Sequence, residues 1–249
     1  MLNMNTPVLL CSPEFIQHLD HTIYLWSGGI VDGISTTVWG MLDMSWVDPI
    51  AKSNWERFKE AHQKTHNTQP YDGSFLHVSQ VWVSQWILQL QLETNLRYSH
   101  LMLRSSQEVK NVAHVRALSV QTILTYKWKF VLLKRVGSGD WEKWLLEFPG
   151  WFVLAEEYNN NNWDLEKIAK QKITDDIWES TITQGKLSIF GYYAYPRILE
   201  VTILFQREIT DDEANSLGEK CMLNEDSEKL DKEKIHIPSY LAMLAMRKR

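Results

Sequence analysis

The sequence predicts an α+β fold with a mixed sheet and a β-rich N-terminal extension, and three observations carry that expectation. Apolar, β-branched and aromatic residues dominate four separated runs, at 75–94, 118–135, 185–190 and 199–205. One segment, 164–179, shows a clear 3.6-residue apolar stripe, and weaker helical patterns occupy only 48–61 and 239–246. At 44% hydrophobic residues, the 249-residue chain can bury a sizeable core, so disorder is not its main character.

Residues 8–47 alternate apolar and polar around Ser27-Gly28-Gly29 and Asp32-Gly33, which predicts short strands joined by turns. Asp48-Pro49 opens a helix, with Asp48 as cap and Pro49 at the first position, where its missing N–H costs nothing. Ile50, Trp55, Phe58 and Ala61 fall near one face of it. The cluster from Asn67 to Gly73 is rich in turn formers. Period-two spacing at Trp86, Leu88, Leu90 and Leu92 then predicts a strand pair over 75–94, looping near Ser84-Gln85.

Leu118 to Arg135 reads as two strands around Thr125-Tyr126-Lys127-Trp128-Lys129. In the 164–179 helix Asp164 is the N-cap, and Glu166 lies in the first turn, where the helix dipole favours a carboxylate. Leu165, Ile168, Ala169, Ile173 and Ile177 form the buried stripe, leaving Lys172, Asp175, Asp176 and Glu179 off it. Gly185–Phe190 and Leu199–Phe205 are further strands. Ser239 caps a last short helix, which runs to Met246 and ends beside the basic Arg247-Lys248-Arg249.

Composition narrows the function classes. The net charge of −5 is uneven: residues 208–233 hold ten acidic and three basic residues, so that segment carries −7 and the rest +2. The acidic segment is either a solvated surface or a docking surface for a protein partner. There is no basic stripe, which disfavours nucleic-acid binding. Cys11 and Cys221 alone cannot make a disulfide framework or a cysteine zinc site. The N-terminus lacks a signal-peptide pattern and no run is long enough to span a membrane, so a soluble, cytoplasmic protein is expected. An effector exported by a non-classical route would look the same. Most of the twelve tryptophans, including Trp82, Trp86 and Trp128, are expected in the core.

The chemistry-bearing stretch is 145–179. It contains a Phe148-Pro149-Gly150 turn, Glu156-Glu157, and a helical Gln171-Lys172-Ile173-Thr174-Asp175-Asp176. This resembles a Nudix box, a Gly-Gly loop with a glutamate followed by a helix bearing Arg-Glu, an aliphatic residue and Glu-Glu. Pro149-Gly150 and Glu157 fall on the loop positions, Ile173 on the aliphatic one and Asp175-Asp176 on the Glu-Glu pair. Trp151 stands for the second glycine, Gln171 for the arginine, Lys172 for the first helix glutamate and Trp178 for the closing glycine. Six extra residues separate Glu157 from Gln171, and the Asn159–Asn162 run absorbs them.

The likeness extends over 112–210, and Trp55-Glu56, Tyr71-Asp72-Gly73 and Thr94 to Arg97 resemble the long N-terminal region of the UDP-sugar diphosphatase branch, with Leu96 at its tyrosine position. The resemblance implies an α/β/α sandwich over 112–249, with 1–111 packed on it. It also implies Mg²⁺ or Mn²⁺ held on Glu157, Asp175 and Asp176, with water attacking a nucleoside diphosphate derivative such as a UDP-sugar. Glu156 and Glu179 are then the carboxylates placed to serve as base, and Arg97, Arg135 and Tyr193 those placed to hold substrate.

Two departures weigh against that chemistry. Lys172 puts an ammonium within i+3 and i+4 reach of Asp175 and Asp176, where it competes with a divalent cation. Trp151 fills space that a glycine leaves for backbone and phosphate. Two readings therefore stand side by side: a metal-dependent hydrolase with weakened or lost activity, or a catalytically inactive Nudix-fold module that binds a nucleotide or a protein.

Overall fold

The computed structural model describes residues 8–9, 14–18, 21–26, 32–45, 47–66, 70–103, 115–127, 129–134, 145–160, 164–177, 185–195, 200–217, 221–224, 235, 239–240, 242–243 and 246. Strands β1 (Val8–Leu9), β2 (Glu14–His18), β3 (His21–Trp26) and β4 (Gly33–Met41) precede helix α1 (Asp48–His66). β5 (Ser74–Ser84) and β6 (Ile87–Arg97) form a hairpin that leads into the short α2 (Tyr98–Met102). β7 (Ala117–Tyr126) and β8 (Lys129–Lys134) form a second, followed by β9 (Leu146–Glu147) and β10 (Gly150–Phe152). Helices α3 (Ala155–Asn160) and α4 (Leu165–Ile177) come next, then β11 (Ser188–Tyr195), β12 (Glu200–Glu208), α5 (Asp211–Ser216) and β13 (Cys221–Asn224).

The strands make one mixed open sheet in the order β2-β3-β11-β12-β7-β5-β6-β4. Its parallel pairs along that path are β12 with β7 and β4 with β6. This is the α+β class expected, and no helix among the described residues is long and apolar enough to cross a membrane. One edge of β7 is shared in series: β5 meets it at Ala117, β10 at Ser119–Gln121 and β8 at Thr125–Tyr126. The segment resembling the box thus enters the sheet at its centre, where β5 and β8 diverge.

Strand alternation divides the core. Leu76, Leu88, Leu90, Leu92, Leu118, Val120, Val201, Ile203 and Phe205 face α3 and α4, burying Tyr158 and the whole stripe of Leu165, Ile168, Ala169, Ile173 and Ile177. Their neighbours Phe75 and Ala117 point the other way, into a smaller cluster with Met44, Val47, Ala51 and Leu101 under α1 and α2. Helices therefore cover both faces of the sheet.

Asp164 caps α4 as expected, its Oδ1 accepting the N–H groups of Glu166 and Lys167 at 2.9 and 3.3 Å. Two local expectations need correction. The buried face of α1 carries Ala51 and Trp55, with Ile50 and Phe58 half-buried, while Ala61 is exposed. Trp86 is not a core residue: with Gln85 it forms the β5–β6 turn, both at positive φ, and it is 60% exposed. The Ser239 hydroxyl, expected as a helix cap, also accepts the N–H of Phe148 at 2.8 Å and Gln121 Nε2 at 3.0 Å, so it ties the C-terminal segment to the Phe148-Pro149-Gly150 turn. Trp128 lies outside the described residues.

Candidate functional site

Backbone contacts place the loop first. Thr122 N–H donates to the Pro149 carbonyl and Val153 N–H to that of Leu118, both at 2.9 Å, so residues 149–153 lie along β7. Gly150 has φ of 152°, and a Cβ there would sit 2.2 Å from the Val120 carbonyl oxygen and 2.7 Å from the Gln121 Cα. Only glycine permits that approach. In this structure Gly150 lets the loop lie against the sheet.

The carboxylates follow. Glu157 lies on α3, not in a loop, with its Oε2 accepting the Leu154 N–H at 3.0 Å. Its Oε1 receives Lys172 Nζ at 2.6 Å, and the lysine side chain is only 12% exposed. Lys172 flanks the buried stripe between Ile168 and Ile173, so its methylene stem lies along apolar wall while its ammonium reaches α3. The expected pairing of Lys172 with Asp175 and Asp176 is therefore replaced by one across 15 residues of sequence. Asp175 instead accepts Gln171 Nε2 at 2.7 Å, and Asp176 Oδ2 accepts the Gly150 N–H at 3.1 Å. Lys172 and Asp176 thus tie α4 to α3 and to the loop.

A second group lies across α3. Tyr71 Oη donates to Glu156 Oε1 at 3.4 Å. The adjacent Asp72 accepts the backbone N–H and hydroxyl of Ser99 at 2.8 and 3.0 Å and pairs with Arg97 Nη1 at 3.5 Å. The Arg97 side chain is 55% exposed, and its acid partner here is Asp72. The adjacent residues Tyr71 and Asp72 therefore link Glu156 on one side and Arg97 on the other. Tyr193 is placed by its backbone in β11, opposite Thr202 and Leu25. Its side chain, together with Arg135, Trp178 and Glu179, lies outside the described residues.

As arranged, these residues do not fit a divalent cation. Glu157 directs one oxygen to an ammonium and the other to an amide, while Asp175 and Asp176 accept from different donors. No group of three or more His, Cys, Asp or Glu side chains among the described residues is placed to hold a metal. What the arrangement can offer is a rigid loop on the sheet, with the half-exposed Trp151 indole at its rim. Sequence reasoning did not find the Glu157–Lys172 pair or the Ser239 anchor. The lysine standing where the resemblance expects a glutamate is the one available signal. No protein-family model matches the chain, and no curated protein does.

Proposed function

We propose that the chain is a Nudix-type module, descended from metal-dependent hydrolases of nucleoside diphosphate derivatives, that binds a nucleotide-like ligand without hydrolysing it. One observation carries this reading: Lys172 Nζ lies 2.6 Å from the carboxylate expected to take metal. A fixed internal cation neutralises Glu157 and opposes a second positive charge beside it. Helices on both faces of a mixed sheet are compatible with the α/β/α sandwich of the resemblance. Trp151, exposed beside the loop, supplies a flat apolar face of the kind a base stacks on.

Calorimetric titration with Mg²⁺ and Mn²⁺, run beside a UDP-sugar and nucleotide panel followed by tryptophan fluorescence and phosphate release, tests the proposal. Nucleotide binding that persists in EDTA, weakens in Trp151→Ala and gives no phosphate release is expected. Metal-dependent release that vanishes in Asp175→Ala and Asp176→Ala would establish the hydrolase reading instead. A folded protein that binds no member of the panel would sink both and direct attention to a protein partner, for which the acidic segment 208–233 is the surface to test.

A further inference from the structure

Strand β4 closes one end of the sheet, and among the described residues it pairs only with β6. Edge strands are ordinarily protected from pairing by charges, proline, shortness or bulges, and the bulge of β4 lies beyond Val38, leaving Gly33–Val38 regular. β4 is nine residues long and reads Gly-Ile-Ser-Thr-Thr-Val-Trp-Gly-Met, with neither charge nor proline. It also carries two of the most exposed large apolar side chains of the described residues, Trp39 at 71% and Met41 at 72%. Ile34 and Val38 pack against the main core, while Ser35, Thr37 and Trp39 are exposed.

We propose that β4 pairs antiparallel with β4 of a second copy of this chain, about a twofold axis at Thr37, so that the sheet continues across a homodimer. The strand complements itself in this register. Trp39 lies opposite Ser35 of the second copy, large against small on either side of the axis, while Val38 meets Thr36 on the other face. The Gly33 end is open, since a Cβ added there would meet no heavy atom of the described residues within 4 Å. Centring on Trp39 instead would set indole against indole and leave the Gly33 ends without a partner. The bulge between Val38 and Gly40 takes Trp39 out of register with β6, and its indole is exposed at this edge. No residue of β4 is charged, so like-charge repulsion across the axis is absent. A single strand pair is a small contact, so a reversible, concentration-dependent dimer follows.

Sedimentation velocity of the full chain over a range of concentrations is the test. A monomer–dimer equilibrium is expected, with Trp39→Lys raising the dissociation constant by at least about tenfold while its circular dichroism is unchanged. Thr37→Cys, on the axis, should cross-link to itself through a short bis-maleimide, which alkylates both thiols. Ser35→Cys should do so poorly alone and well when mixed with Trp39→Cys, with peptide mapping identifying the joined strands. A protein that stays monomeric throughout, a dimer indifferent to Trp39→Lys, or self-linking of Ser35→Cys as readily as Thr37→Cys would each overturn the proposal.

Discussion

Lys172 is the residue that joins α4 to α3. Its pair with Glu157 is partly buried, at 12% and 27% side-chain exposure, so removing one partner leaves the other charge poorly solvated. Lys172→Met should destabilise the fold by about 1–3 kcal/mol in urea unfolding, because it removes a charged donor from a half-buried carboxylate. Lys172→Glu should cost more in EDTA, and Mg²⁺ or Mn²⁺ should recover part of the loss in thermal melts. A second residue governs acid stability. Burial pushes the Glu213 carboxyl up, but the Thr210 N–H and the Arg207 guanidinium outweigh burial and hold it below the ordinary glutamate range. A carboxyl lowered in the folded state stabilises above its unfolded pKa, and that stability is lost as pH falls through the folded value. Wild-type Tm should therefore drop on acidification below the ordinary glutamate range, and Glu213→Gln should lower Tm at neutral pH and flatten that drop.

At the scale of elements, backbone geometry sets the predictions. Gly150→Ala would drive a methyl into the Val120 carbonyl, and since both strands are fixed by ladder bonds the relief must come from shifting β10. A loss of about 1–3 kcal/mol is expected in chemical denaturation. The β5–β6 turn offers the opposite case. Gln85 and Trp86 have φ of 51° and 63°, the pair of left-handed residues that a tight hairpin demands and that Asn-Gly adopts with less strain. Replacing the pair by Asn-Gly should raise stability by about 1 kcal/mol, since the exposed indole contributes little packing. Helix α4 was legible in the sequence because its stripe, cap and first-turn acid agree with one another. Helix α3 was not, because six residues between 155 and 160 hold too few turns for a periodicity to register.

At the scale of the whole molecule, strands from the two halves of the chain interleave in one sheet. β3 pairs with β11, and β5 with β7. Residues before and after 111 also share the main core, where Leu76, Leu88 and Leu90 meet Leu118, Ile173 and Phe205. Heating should therefore give a single calorimetric transition whose van't Hoff and calorimetric enthalpies agree. Two separate transitions, or a stable fragment of 112–249, would contradict that coupling. The sequence by itself determined the alternation of strands and helices, the stripe and cap of α4 and the hairpins, since each rests on neighbours within a few residues. Only the tertiary structure decided that Trp86 faces solvent, that Lys172 turns to Glu157 across 15 residues and that Gly150 serves the sheet. Those outcomes depend on which strands pair and in what register, a long-range choice that no local period encodes.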